Sequence, residues 1–344
     1  MMIRTGGTLS MIAGDGGTTL SPTAQLQTIV DAVPSLASIA DIETHDLFNL
    51  DSGDLQPTHW LALASAVHQA LSRDDVAGVV IVHGTDTMSY TASALSFLLG
   101  AIPRPVVLTG AQRPLADVRS DARSNLVDAT IVATLPVPEV VVAFASRIFR
   151  GCRTIKADAW AFEAFASPGA APLVELGLGV TTASHVRPAG ALAPLDPRIE
   201  TRVLAVRIFP GLDPRLVIGA IRAGVRGLVL EGYGTGNLPS LVGSSVIPAI
   251  EEASARGVPV VVVSQCPRGH VELERYAGGA AAARAGAIDG GDMTVEAAIA
   301  KMMVALGRHP AAVADDASGD ERAAALRAVR AFMLADLAGE RTSR

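Results

Sequence analysis

Three short turns in the first half of this 344-residue chain set hydroxyls, an acid and glycines side by side: Thr5-Gly6-Gly7-Thr8, His83-Gly84-Thr85-Asp86-Thr87 and Thr109-Gly110-Ala111-Gln112. Taken singly, each reads as a turn with an N-cap, because Thr and Asp are good caps. Three of them in one half-domain, each where a strand gives way, point to a shared site. A hydroxyl flanked by glycine suits a nucleophile that a substrate carbonyl can approach closely. Thr8 is β-branched and stiff at χ1, as a positioned nucleophile should be. A threonine hydroxyl is weak until something takes its proton, and Lys156 is the candidate. Lys156 and Lys301 are the chain's two lysines; its other fixed cations are Arg. Arg cannot act as a base, whereas a partly buried Lys can. The competing reading of Lys156 is a solvated surface amine. It sits in Arg150-Gly151-Cys152-Arg153-Thr154-Ile155-Lys156-Ala157-Asp158, read as a loop. Thr85-Asp86 adds a second hydroxyl and a charge partner.

Other chemistries fit poorly. The first turn lacks the G-x-x-x-x-G-K-[ST] order of a phosphate loop and does not match G-x-G-x-x-G. There is no G-x-S-x-G elbow for an ordinary serine hydrolase. The 7 His show no H-x-x-x-H pair or Cys/His ligand spacing, so no metal site is expected. Cys152 and Cys266 lie far apart with no C-x-x-C and read as free thiols in a reducing cytosol. A net charge of -6 offers no basic field for nucleic acid. Mean hydropathy is +0.38, yet runs such as Val260 to Val263 are far shorter than the ~18 residues a spanning helix needs. Met1 to Gly7 has no apolar signal region. A soluble cytoplasmic protein without membrane or nucleic-acid partners is expected.

The elements that must position these residues follow from hydrophobic pattern. Val79-Val80-Ile81-Val82 precedes a helical stretch from about Met88 to Leu99. Val106-Val107-Leu108 precedes another from about Ser120 to Ala133, and Val140 to Phe144 follows as a third strand. Uninterrupted apolar strands joined by helices indicate a parallel sheet covered on both faces. Ligands bind such sheets beyond the carboxyl ends of the strands, where the three turns fall. Pro188, Pro194 and Pro197 interrupt the pattern. It resumes with strands at Val203 to Ile208, Gly227 to Leu230 and Val258 to Val263. Helices are expected at Pro214–Ala223, Val246–Arg256 and about Asp320 to Leu337. The expected organisation is a catalytic α/β domain over 1–188, a linker over 189–201 and a smaller α/β domain over 202–344.

Together these segments resemble the bacterial-type L-asparaginases, most nearly the cytoplasmic type I branch. The resemblance runs in order through Thr5-Gly6-Gly7-Thr8, Asp51-Ser52-Gly53-Asp54, the segment His83 to Phe97, Arg119-Ser120-Asp121, Arg150 to Lys156, Phe165-Ala166-Ser167-Pro168, Tyr233-Gly234-Thr235-Gly236-Asn237 and Gly291 to Ala297. It implies a two-domain asparaginase-like α/β fold that hydrolyses L-asparagine to L-aspartate and ammonia without a cofactor. It matches Thr8 to the first catalytic threonine, and Thr85, Asp86 and Lys156 to a second Thr–Lys–Asp group. Thr8 is favoured as nucleophile of an acyl-enzyme route, with Thr85 positioning water, Lys156 managing the hydroxyl proton and Asp86 holding Lys156 or the substrate ammonium. Ser52 matches the residue that binds the α-carboxylate. Backbone groups at Thr85 and Ala111 would line the amide pocket, and Asn237 matches a residue reaching into a neighbouring copy's site. A homodimer or homotetramer is therefore implied.

The sequence departs from the family at several places, and its first strand reads as clipped to about Met2-Ile3-Arg4. The mobile lid usually carries a tyrosine about ten residues beyond the first threonine; this register holds Thr18, with Thr19 beside it, and Tyr90 is the first tyrosine of the chain. Gly53 stands where relatives have a Gln or Ser that touches the substrate amine. Two further readings follow: a glutaminase-asparaginase of broader specificity, and a weakened amino-acid-binding homologue without efficient turnover. The amidotransferase component that processes tRNA-linked glutamate shares the fold, but would be expected to carry an extra N-terminal domain ahead of Thr5.

Overall fold

The computed structural model describes residues 1–13, 20–22, 26–314 and 316–342. It divides into two compact units, Met1–Pro197 and Arg198–Arg344. In the first, the strands along the chain are β1 (Met2–Gly6), β2 (Met11–Ala13), β3 (Leu20–Pro22), β4 (Thr44–Leu50), β5 (Val79–Val82), β6 (Val106–Thr109), β7 (Val140–Phe144), β8 (Arg147–Arg150), β9 (Ile155–Lys156), β10 (Phe165–Ala166), β11 (Val174–Leu176) and β12 (Val180–Thr182). The helices are α1 (Leu26–Asp31), α2 (Pro57–Leu71), α3 (Met88–Leu99) and α4 (Ala122–Val132).

The principal sheet has the order β12-β11-β8-β7-β6-β5-β1-β4. From β7 to β4 all neighbours are parallel, in registers such as Met2↔Val80, Val79↔Val106 and Val106↔Val140. Strands buried on both faces carry apolar side chains without alternation. Val80, Val82, Val107 and Val141 point to one face and pack with Leu26 and Ile29 of α1 and Leu126, Ala129 and Val132 of α4. Helices α2 and α3 cover the other face, against β5 and β7. From Met88 to Leu99 every residue of α3 except Tyr90 is buried, the condition of a helix apolar nearly all round.

Two features differ from the sequence reading. β1 runs on to Gly6 rather than stopping near Arg4. The far side of the sheet is antiparallel: β7–β8 and β11–β12 are hairpins, and β8 pairs with β11 across the intervening β9 and β10. The β7–β8 turn carries Ala145 and Ser146 at φ 51° and 59°, where a tight hairpin would ordinarily use Asn-Gly. Side chains from α4 stabilise it instead. Asn125 Oδ1 accepts from the Ala145 N–H at 3.1 Å, and the Ser146 hydroxyl donates to Asp128 at 2.9 Å.

The second unit has a four-stranded parallel sheet in the order β13-β14-β15-β16, formed by β13 (Val203–Arg207), β14 (Gly227–Gly232), β15 (Val260–Ser264) and β16 (Ile288–Asp289). Its helices are α5 (Pro214–Arg222), α6 (Ile247–Ala255), α7 (Ala277–Arg284), α8 (Val295–Arg308) and α9 (Gly319–Leu334). Leu228, Leu230, Val260 and Val262 pack toward α5 and α6. Val229, Val261 and Val263 pack toward Met302 and Leu306 of α8 and Val329 and Met333 of α9. Lys301 of α8 is wholly buried. Its ammonium donates to the carbonyls of Met333 (3.1 Å) and Ala335 (2.5 Å) and pairs with the buried carboxylate of Glu340. Glu340 also accepts from the N–H groups of Leu337 and Ala338. Nearby, Thr342 donates through its N–H and hydroxyl to Asp292. Burial pulls the Lys301 pKa below the ordinary lysine range, against the opposing attraction of Glu340. Among the described residues, no helix is long and apolar enough to cross a membrane.

Candidate active site

The three polar turns leave the carboxyl ends of β1, β5 and β6, and β4 contributes a fourth. Glycines let their backbones meet. Gly7 has φ 95°, and a Cβ there would lie 2.4 Å from the Cα and N of Gly84. A Cβ on Gly84 would lie 2.6 Å from both Cβ and Oγ of Ser52. Gly110 is equally constrained, since its Cβ would come within 2.3 Å of the His83 carbonyl oxygen. The ends of β1, β4, β5 and β6 therefore converge on the residues 83–85.

Ser52 opens a short 3-10 turn, Ser52–Asp54, whose cap Asp51 accepts from the Gly53 N–H at 2.8 Å. Its side chain is buried, and its carbonyl accepts from the Thr87 hydroxyl at 2.8 Å. Gly53 is exposed, and a Cβ there would meet only Asp51 Oδ1, at 3.4 Å. Thr8 starts the 3-10 turn Thr8–Ser10 directly after Gly7 and is half-buried. Ala111 is wholly buried in the turn after β6.

Lys156 does not lie on a loop, as its sequence context suggested. It closes β9, pairing with Phe165 of β10 across a short antiparallel ladder. Two residues of strand flanked by Gly151 and Asp158 are too short to leave a period-2 signal. The approach to β9 is held by a buried ion pair. Arg150 donates from Nε and Nη2 to the Glu139 carboxylate at 2.5 and 2.9 Å, and Glu139 also accepts from the Arg187 N–H. Gly151 then passes close to α3; a Cβ there would lie 3.1 Å from Ala92 Cβ.

From β9 the Lys156 ammonium reaches back to the turn after β5. It donates to Thr85 Oγ1 at 2.8 Å and to Asp86 Oδ1 at 2.5 Å. Thr85 is 6% exposed. The lysine side chain is 20% exposed and that of Asp86 68%, so the pair spans the edge of the site from interior to solvent. The Thr85 hydroxyl donates to Gln112 Oε1 at 3.3 Å. This arrangement can hold a cation, present a hydroxyl with both its proton and a lone pair engaged, and offer an acid to an incoming ammonium.

Beneath the turn lies a buried neutral network. His83 is fully buried, and desolvation lowers its pKa to about 4. Its Nδ1 lies 2.6 Å from the Gly84 carbonyl oxygen, which can only accept, so Nδ1 carries the proton. Nε2 then accepts from the Thr91 hydroxyl at 2.9 Å, and Thr91 Oγ1 accepts from Trp60 Nε1–H at 3.1 Å. The chain of donors fixes the Gly84–Thr85 peptide from below.

The structure thus brings Thr85, Asp86 and Lys156 into direct contact and gathers the turns of Thr8, Ser52 and Ala111 around them. Asn237 belongs to the second unit. There it closes the turn Tyr233–Asn237 through paired backbone bonds at 2.8 and 2.9 Å. Thr18 and Thr19 lie outside the described residues. Sequence reasoning assigned no role to His83, Gln112, Asp121, Asn125 or Thr91. Gln112 stands in one of the three polar turns, and an amide among otherwise small residues is the signal that could have found it.

Residues 1–187 match the family model described as asparaginase, N-terminal, and residues 202–314 match the glutaminase/asparaginase C-terminal domain. L-asparaginase 1 of Escherichia coli strain K12 is 40% identical over 307 residues, covering 87% of this chain and 88% of the relative. The L-asparaginase of Thermococcus kodakarensis is 38% identical over 307 residues, covering 86% of this chain and 92% of the relative. A glutamyl-tRNA(Gln) amidotransferase component of Pyrococcus horikoshii is 33% identical over 352 residues, covering 99% of this chain and 76% of the relative. Among solved structures, the thermostable L-asparaginase from Thermococcus kodakarensis superposes with a TM-score of 0.86 at 36% identity, covering 100% of this chain and 99% of that one. L-asparaginase I from Vibrio cholerae gives a TM-score of 0.84 at 32% identity, covering 99% and 98%.

Proposed function

From the premise that this chain belongs to the asparaginase family, we propose that it hydrolyses L-asparagine to L-aspartate and ammonia through a threonine-bound acyl intermediate. The observation that carries the reading is the contact of one lysine with both a buried threonine hydroxyl and a partly exposed acid, at 2.8 and 2.5 Å. Free asparagine is a small zwitterion, and residues of the required kinds surround this contact. The Ser52 turn meets the α-carboxylate, and the exposed side of Asp86 meets the ammonium.

In the first half-reaction the Thr8 oxygen bonds to the side-chain amide carbon. Lys156 in its amine form takes the hydroxyl proton and hands a proton on to the amide nitrogen, the C–N bond breaks, and the nitrogen leaves as ammonia. In the second, water held by Thr85 bonds to the ester carbon, the bond to Thr8 breaks, and a proton from that water passes to the Thr8 oxygen. Backbone N–H groups beside Thr85 are assigned to the developing oxyanion, where fixed donors stabilise a transition state most, and backbone groups at Ala111 line the amide pocket. The reading includes a homo-oligomer in the cytoplasm, in which Asn237 of one copy reaches a neighbour's site; dilution to monomers then lowers specific activity.

Ammonia release from L-asparagine, with L-glutamine in parallel, tests the reading. Turnover is expected, with kcat/KM higher for asparagine. Thr8→Val and Lys156→Met are each expected to lose at least about a hundredfold in kcat, the scale of a nucleophile or proton-transfer group removed. Full activity in Thr8→Val overturns the nucleophile assignment. Asparagine binding by calorimetry without ammonia release points instead to the binding homologue.

A further inference from the structure

Gln112 joins the Thr85 hydroxyl to the turn between β9 and β10, and its own backbone is fixed from the opposite side. The Gln112 N–H donates to the two Asp121 carboxylate oxygens at 3.1 and 3.0 Å, and the Arg113 N–H donates to Oδ1 at 3.1 Å. Asn125 Nδ2 donates to Asp121 Oδ2 at 3.1 Å and to the Gly110 carbonyl at 3.0 Å. The turn after β6 is thereby clamped to the start of α4 before the glutamine side chain does anything.

That side chain has two ends with different duties. Nε2 donates to the Ala161 carbonyl at 3.1 Å. A carbonyl oxygen can only accept, so this bond decides which end of the amide is nitrogen and leaves Oε1 toward Thr85. Ala161 is itself held: the Asp158 carboxylate accepts from the N–H groups of Trp160 and Ala161 at 2.7 and 2.8 Å. Those two bonds keep the Asp158 carboxyl below its usual range. On the other side, Thr85 Oγ1 accepts from Lys156 Nζ at 2.8 Å and donates to Gln112 Oε1 at 3.3 Å. An ammonium offers no acceptor. While Lys156 is charged, the Thr85 proton therefore needs another acceptor, and Oε1 is that group.

We propose that Gln112 is a positioning residue for the hydrolysis described above, which holds the Thr85 hydroxyl proton away from Lys156 and so keeps the Thr85 oxygen aimed at the lysine. The inference rests on the proposed function, because it concerns a step that uses Thr85. Without the acceptor the hydroxyl rotates, and the loss falls on the chemical step. The groups that would meet the α-carboxylate and ammonium, Ser52 and Asp86, are untouched, so substrate binding changes little.

The test compares Gln112→Met, which keeps length and removes the acceptor, with Gln112→Glu, which keeps an oxygen at the same reach. Thr85→Val is measured alongside, all in the full chain, with ammonia release from L-asparagine and thermal unfolding recorded for each. Gln112→Met is expected to lower kcat about ten- to a hundredfold, the scale of a misplaced reacting group, with KM within about threefold of the parent. Gln112→Glu is expected to recover at least about threefold over Gln112→Met. If Gln112→Met does not fold, Gln112→Ala takes its place. A parent-like kcat in the acceptor-free variant, equal losses in the Met and Glu variants, or a loss confined to KM each overturns the proposal. Thr85→Val with parent kcat overturns the underlying reaction scheme instead; Thr85→Val inactive beside a fully active Gln112→Met overturns the role of Gln112 alone.

Discussion

Gly84 is the residue on which the neighbouring turns lean. Its missing Cβ leaves room for Ser52, and Gly7 lies against its backbone. Gly84→Ala would drive a methyl into Ser52 Oγ, and overpacking of this kind costs about 1–3 kcal/mol. The same shift displaces both the carboxylate turn and Thr85. The expected outcome is a fall in Tm together with at least about a tenfold loss of kcat/KM, read by thermal scanning and ammonia assay. Gly53 is the opposite case. Its surroundings are open, and its conformation is not one that requires glycine. Gly53→Gln is therefore expected to fold with an unchanged Tm and to lower KM for asparagine by adding an amide beside the substrate ammonium. An unchanged or raised KM would show that position 53 does not face the ammonium. Both glycines were visible in the sequence. What separates them is which neighbour occupies the missing Cβ position, and that depends on contacts across strands.

The buried donor chain running from Trp60 on α2, through Thr91 on α3, to His83 after β5 ties two helices to the sheet. It also makes stability depend on pH. His83 in the folded chain has a pKa of about 4, below the ordinary histidine value of 6.5. As pH falls through 6.5 the unfolded chain takes up a proton that the folded chain refuses until about 4. Stability is therefore complete above pH 6.5 and declines toward pH 4, by about 3 kcal/mol if the whole difference applies. His83→Gln is expected to flatten this part of the profile, whatever its cost at neutral pH. Urea unfolding at pH 7 and pH 5 measures it, and equal slopes for both proteins would remove His83 as the cause.

Much of the scaffold was legible in the sequence. α3 runs from Met88 to Leu99 as its pattern indicated, and the β5, β6 and β7 cores fell where the valine runs stood. Periodicity reports such elements because burial on both faces leaves uninterrupted apolar runs. The β7–β8 hairpin escaped because Ala145 and Ser146 supply positive φ without glycine or asparagine, stabilised by Asn125 and Asp128 far along the chain. Lys156 was legible as a reactive residue but not as a strand residue. Its partners, 70 and 71 positions away, meet it only once the sheet has formed.

At the scale of the molecule, the second unit carries a charged pair in its apolar layer. Lys301 and Glu340 both have fully buried side chains. Removing one partner of such a pair strands the other without water, and costs about 3–5 kcal/mol. Glu340→Ala is expected to lower the Tm clearly. The double variant Lys301→Met with Glu340→Leu is expected to recover most of the loss, because it removes the need for compensation. Failure of the double variant to exceed Glu340→Ala would locate the contribution of Glu340 in its backbone bonds to Leu337 and Ala338.

That same pair imposes an order of events on the growing polypeptide. Lys301 reaches the interior of the second unit within α8, but its carboxylate partner is 39 residues further on. During synthesis, α8 emerges from the ribosome with an ammonium that has not yet met this carboxylate. The layer formed by α8 and α9 can close fully only after residue 340 has been added. A chain halted before that point is expected to leave the Lys301 ammonium without this carboxylate. This layer is therefore closed by a residue made well after Lys301, and truncation before residue 340 is expected to lower the Tm, as thermal scanning of the shortened chain measures.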